Sequence, residues 1–189
     1  MRLPPALTGY TEEVLREILR FTGPADVTLS RYFRDHPRIG ARERGAIAEG
    51  VYGLLRNKST YMNFSESGFG SPMRRLALLG LADAAGVDSL GGLTEEELGW
   101  LERVMQIDRT NLPLNLRANM PMWLIDRLVA RFGEAEAIQL AEAMNYQAPL
   151  DLRVNAMTAT REEVIAGLAL APIIAEPTPY SPLGLRIKK

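Results

Sequence analysis

The stretch that decides how this chain is divided is residues 149–156, PLDLRVNA. Leu150, Leu152, Val154 and Ala156 alternate with Asp151, Arg153 and Asn155. Period two puts the apolar members on one side of an extended chain, so the stretch predicts a strand with one buried face. Arg153 and Asn155 then point away from that face.

Upstream, every periodic segment repeats at helical spacing. Thr11 reads as an N-cap, with Glu12 and Glu13 in the first turn and Val14, Leu15, Ile18 and Leu19 on one stripe, predicting a helix over 11–22 stopped by Gly23 and Pro24. A second helix runs from Asp26 to His36, because Pro37 disfavours helical geometry in the residue before it. A third spans 41–57, with Ile47, Val51, Leu54 and Leu55 inward. After a short helical segment at 61–64, Ser71-Pro72 marks a capped start. The helix it opens carries Leu76, Leu78, Leu79 and Leu81 on most of its faces and should be the central buried one, ending at Gly86. Thr94 and Glu97 form a capping box, with Leu98, Leu101 and Met105 facing the core. Helices over 121–132, with Trp123 in the core, and 134–146 complete an all-helical bundle with short connections.

Downstream, Thr160 and Glu163 open a helix carrying Val164, Ile165 and Leu168, and Pro172–Ala175 and Gly184–Lys188 read as short strands. About 40 residues with so few elements lie near the lower limit for independent folding. The fold class is therefore mainly α: a helical bundle over 1–147 followed by a small, incomplete α/β subdomain over 148–189.

The 189 residues include no cysteine and one histidine, His36. Thiol nucleophiles, iron–sulfur clusters and cysteine-ligated zinc are excluded, and a Ser-His-Asp arrangement would have to be built on His36 alone. That residue reads better as a helix end near a C-terminal dipole. Glu95, Glu96 and Glu97 suit a helix N-terminus without any metal. No apolar run approaches the ~20 residues that span a bilayer and no secretory leader is visible, so a cytoplasmic protein with no membrane contact is expected.

Charge is unevenly placed. Residues 31–58 hold Arg31, Arg34, Arg38, Arg42, Arg44, Arg56 and Lys58 against three acids, whereas residues 84–110 hold six acids against Arg103 and Arg109. Two readings of the basic stretch stand open. One is contact with a nucleic-acid backbone; the other is a solvated helix face whose arginines pair with local carboxylates.

Two sets of residues carry a family resemblance. The first is Leu29–Lys58, LSRYFRDHPRIGARERGAIAEGVYGLLRNK. The second is Pro121-Met122-Trp123-Leu124, Arg131-Phe132-Gly133, Ala148–Asn155, Thr160–Glu163 and Tyr180-Ser181-Pro182. In order and spacing they resemble the Sun/Fmu/RsmB family of ribosomal RNA 5-methylcytosine methyltransferases. The resemblance implies a NusB-like helical RNA-binding domain, a small α/β subdomain, and then a catalytic domain that binds S-adenosylmethionine and works through two cysteines. Neither cysteine can be placed here, so the chain is expected to be an N-terminal portion without cofactor of its own, S-adenosylmethionine belonging to the parent protein. Its expected partners are structured RNA, ribosomal RNA in particular, and the C-terminal methyltransferase domain. RNA contact is implied for Arg31, Arg34, Arg38, Arg42, Arg44, Arg56 and Lys58. For Arg153 and Asn155 it stands beside a role in holding the junction between the two units. Ala156-Met157-Thr158 departs from the Leu-Lys pair of many members, which removes a basic residue at the strand's end. The alternative is a free-standing NusB-like RNA or protein interaction module of transcription antitermination or ribosome assembly, with the acidic 88–102 region as its partner surface.

Overall fold

Side-chain caps start several of the helices. Ser71 Oγ accepts the Arg74 N–H at 3.1 Å with Pro72 in the first turn, and Thr94 and Thr160 accept the N–H of Glu97 and Glu163 while those glutamates reach back to the threonine N–H groups. The computed structural model describes residues 2–146 and 148–188. Among these the order is α1 (Ala6–Ile18), α2 (Ala25–Asp35), α3 (Ala41–Arg56), α4 (Lys58–Ser65), α5 (Pro72–Ala85), α6 (Glu95–Met105), α7 (Leu114–Ala118), α8 (Met122–Phe132), α9 (Glu134–Asn145), β1 (Leu150–Arg153), α10 (Arg161–Leu170), β2 (Ala175–Pro177) and β3 (Gly184–Ile187). The architecture is mainly α with a small α/β part. Two compact units divide between Asn145 and Tyr146; the boundary expected between 147 and 148 falls at Gln147, outside the described residues.

In the first unit α5 is the central helix, packed against α1, α3, α4 and α6. Its Leu76–Ala82 segment is wholly buried. Glycines set how closely α3 and α5 meet. A Cβ on Gly50 would lie 3.2–3.3 Å from Leu81 and Gly80 atoms, and one on Gly80 would overlap the Gly50 carbonyl oxygen. Several polar groups of this unit are paired. Arg109 donates to Asn57 Oδ1 and Tyr61 Oη, both at 3.1 Å, and lies over the Tyr61 ring. Trp100 Nε1 donates to Ser67 Oγ at 3.2 Å. Arg74 clamps Glu97 with both Nε and Nη2, and Glu97 is only 4% exposed.

A second, smaller core lies in α7–α9, built from Ala118, Met120, Ile125, Ala137 and Ala141. Buried Thr60 on α4 ties α7 to the larger core. Its Oγ1 donates to the Leu116 carbonyl at 2.6 Å and its N–H to Asn119 Oδ1 at 3.1 Å. Asn119 adopts a left-handed φ of 50°, which asparagine tolerates better than most residues.

The second unit is a three-stranded antiparallel sheet of order β1-β3-β2, with Asp151 and Glu176 both opposite Arg186. β1 and β2 therefore run parallel on either side of β3, a split β-α-β arrangement. α10 packs on β2 and β3.

Several local expectations are corrected. The first helix begins at Ala6, not at Thr11; Thr11 is buried inside it and donates to the Leu7 carbonyl at 2.9 Å. It ends at Ile18, followed by Phe21 with positive φ. The Pro-rich stretch before residue 121 hides α7, which accounts for a helix absent from the sequence reading. Leu98 lies on the outer face of α6, whose core positions are Glu97, Trp100, Leu101 and Val104. Trp123 is 62% exposed, its ring beneath the Arg127 guanidinium, because α8 turns Ile125 inward instead. The buried face of β1 is not buried: α10 covers β2 and β3, and Leu150 and Leu152 at the far edge remain exposed, while Val154 is covered. The strand expected at Pro172–Ala175 pairs only from Ala175 onward.

Replacing Gly80 with alanine should lower stability by about 1–3 kcal/mol in urea unfolding, the cost of overpacking against backbone that cannot rotate away. Glu97 gives a pH signature. The Arg74 hydrogen bonds, outweighing burial, hold its carboxyl below the usual range. Its contribution is therefore complete above the unfolded value of about 4.3 and is lost as pH falls through the lower folded value. Glu97→Gln should cost about 1–3 kcal/mol at neutral pH, and the gap from wild type should close as unfolding is measured toward pH 3.

Candidate functional site

The α2–α3 connection is short and closed by its own bonds. His36 caps α2, its Nδ1 donating to the Tyr32 carbonyl at 2.9 Å and its ring stacked on Tyr32 at 4.1 Å between centroids. Ile39 is buried. Arg44 Nε donates to the Ile39 carbonyl at 2.8 Å and its guanidinium lies over Phe33. The Gly40 N–H donates to Glu43 Oε2 at 2.9 Å. These contacts fix the direction in which Arg38 and Arg42 leave the loop.

Arg38 and Arg42 share a cleft of about 370 Å³ with Arg2, Pro4, Gly40 and Glu43 at the start of α3. Arg2 lies outside the basic stretch 31–58. It is placed by its neighbour Leu3, whose side chain is buried and whose N–H donates to the Ser89 carbonyl at 2.6 Å. Arg2, Arg38 and Arg42 thus line the cleft beside Glu43, whose carboxylate accepts the Gly40 N–H. The N-terminus of α3 adds its own positive end.

The other candidates are not brought to this cleft. Arg31 pairs with Glu17 of α1 at 2.6 Å. Arg44 is used in holding the loop. Lys58 Nζ lies 4.5 Å above the Phe21 ring. Arg34 is exposed near the end of α2 and Arg56 is half-buried in the last turn of α3. At about 1.5 Å per residue, Arg42 and Arg56 lie ~21 Å apart along α3, so the basic stretch forms two ends and not one patch.

A second cleft of about 370 Å³ between α1 and α2 mixes Arg16, Arg20 and Arg31 with Glu13, Glu17 and Asp35. Tyr32 donates to Glu13 there at 2.6 Å, and burial together with that carboxylate pushes its phenol well up. Its charges cancel. In the acidic region Glu97 is spent on Arg74 and Thr94, leaving Glu95 and Glu96 exposed in the first turn of α6.

In the second unit Asn155 turns the chain, its Oδ1 accepting the Met157 N–H at 3.2 Å and its carbonyl accepting from Thr158 Oγ1 at 3.0 Å. Arg153 is exposed and makes no side-chain hydrogen bond or ion pair among the described residues. It lines a cleft of about 490 Å³ with Asp151, Thr178, Tyr180 and Arg186. Arg186 holds Asp151 through two bonds of 2.8 Å, which keep that carboxyl below its usual range.

A nucleotide-type cofactor is usually gripped by a glycine-rich turn between a strand and a helix N-terminus. The connection from β1 to α10, residues 154–160, contains no glycine. That connection does not fit S-adenosylmethionine.

Residues 120–189 match the family described as "Methyltr_RsmF/B-like, ferredoxin-like domain", a pattern to which the split β-α-β of the second unit conforms. Over 92% of its length the chain is 27% identical to the probable ribosomal RNA small subunit methyltransferase B of Synechocystis, of which it spans 46%. All of the chain superposes on the crystal structure of PH0851 with a TM-score of 0.63 at 18% identity, covering 49% of that protein, a likeness of fold. The chain spans about half the length of the relatives it matches. Residues 120–189 are thus similar to the ferredoxin-like domain of the RsmF/B-like methyltransferases, and the chain as a whole is similar in sequence to a probable ribosomal RNA small subunit methyltransferase B.

Proposed function

We propose that this chain is the RNA-binding, substrate-positioning region of a ribosomal RNA 5-methylcytosine methyltransferase, the methyl donor S-adenosylmethionine being bound elsewhere in the parent protein. The observation that carries this is the convergence of Arg2, Arg38 and Arg42 on one cleft at the N-terminus of α3. Guanidinium groups suit phosphate oxygens bidentately, and a helix N-terminus favours an anion. The relation to a small subunit rRNA methyltransferase supports RNA as the source of that phosphate. Such a grip reads shape and backbone, not sequence. The alternative of a protein-recruiting module loses part of its footing, because the buried pair with Arg74 withdraws Glu97 from the acidic surface.

Binding of a ribosomal RNA fragment should weaken with salt at a log–log slope of about −0.9 for each phosphate neutralised. Arg2→Glu with Arg38→Glu should weaken binding at least about tenfold and make the slope shallower by roughly 2. Affinity unchanged by this reversal, or independent of salt, would overturn the proposal. Folding separates the two kinds of arginine. In urea unfolding Arg38→Ala should stay within about 0.5 kcal/mol of wild type, whereas Arg44→Ala should cost about 1–2 kcal/mol through the lost Ile39 bond and Phe33 contact.

A further inference from the structure

We infer that the cleft beside the β2–β3 loop is a subsite for single-stranded RNA, in which one nucleobase stacks on Tyr180 and the adjoining phosphate pairs with Arg153. The inference rests on the RNA-binding reading above but uses a different part of the chain.

The polar face of the sheet follows from register. Asp151 and Arg153 are two residues apart on β1, and Asp151 and Glu176 both oppose Arg186, so these side chains share one face. The opposite face holds buried Leu185 and takes α10. On the polar face two pairs cancel: Arg186 with Asp151, and Lys188 with Glu176 at 2.7 Å. Arg153 is left as the charge without a counterion among the described residues.

Tyr180 stands at the rim of the same cleft and is 98% exposed. Its loop is stapled. The Thr178 N–H donates to the Gly184 carbonyl at 3.1 Å, the Gly184 N–H donates to the Ser181 carbonyl at 3.2 Å, and Pro179 and Pro182 flank the turn. A Cβ at Gly184 would overlap Thr178 Oγ1, so the closure depends on glycine. An aromatic ring held in water by a stiff loop adds nothing to a core, yet loses little entropy when a planar ligand covers it. The cleft's volume is within the range of small-ligand sites, large enough for a nucleotide and too small for a duplex. Bases inside a duplex have no free face to offer, whereas unpaired bases stack readily on aromatic rings.

The test is anisotropy of the whole chain with a labelled oligocytidylate hexamer at low salt. Tyr180→Ala should raise its Kd about 5- to 150-fold, the usual cost of one lost stacking platform, while Tyr180→Phe should stay within about twofold because the ring face is kept. Arg153→Gln should weaken binding and make the log–log salt slope shallower by about 1. The inference is overturned if the hexamer fails to bind wild type below about 1 mM, if Tyr180→Ala leaves its affinity unchanged, or if a blunt duplex of equal length competes as well. The two readings fail separately. Loss of ribosomal RNA binding on reversal of Arg2 and Arg38, with hexamer binding indifferent to Tyr180, removes only the subsite; the reverse result removes only the α3 cleft.

Discussion

The close crossing of α3 and α5 at Gly50 and Gly80 is the constraint on which the larger core depends. Each glycine costs its helix about 1 kcal/mol relative to alanine, and that cost is offset only because backbone can then meet backbone. The approach buries Ile47, Val51 and Leu54 against the leucines of α5. It also fixes the axis of α3, and with it the position of the arginine cleft at that helix's first turn. The placement of the cleft at one end of α3 is thus set by two missing side chains, one in the middle of that helix and one in its neighbour.

Much of this was legible in the sequence where the signal is local. Ser71-Pro72, Thr94 with Glu97, and Thr160 with Glu163 each announced a helix start that the structure contains, because a cap needs only residues three apart. Reading failed where tertiary context overrode local chemistry. Thr11 has the composition of a cap, yet its hydroxyl bonds back to Leu7 inside a helix that starts earlier. Trp123 looked like core, but α8 presents it outward and satisfies its inner face with Ile125. Leu150 and Leu152 alternate as a half-buried strand does, and what covers a strand cannot be read from the strand itself. Gly50 and Gly80 did leave a trace, two glycines inside otherwise strong helices, whose meaning emerges only when the helices are paired.

The candidate site shows the same division. Composition located the excess of arginine but not its distribution. Arg31, Arg44 and Lys58 are held by Glu17, by Ile39 and Phe33, and by Phe21, whereas Arg2, outside the basic stretch altogether, reaches the cleft because Leu3 is pinned to Ser89. Proximity in sequence does not give proximity in space here, because ~21 Å of α3 separates Arg42 from Arg56 while the fold brings Arg2 to Arg38 and Arg42 from outside the stretch.

The hydrogen bonds from Thr60 to Leu116 and Asn119 have a dynamic consequence. The core of α7–α9 is made largely of alanines and is distinct from the larger one, so it has the attributes of a unit that opens on its own. Amide protons in α8 and α9 would then exchange through a local opening that leaves α5 protected. The family match begins at residue 120, within this smaller core and next to Thr60's partner Asn119.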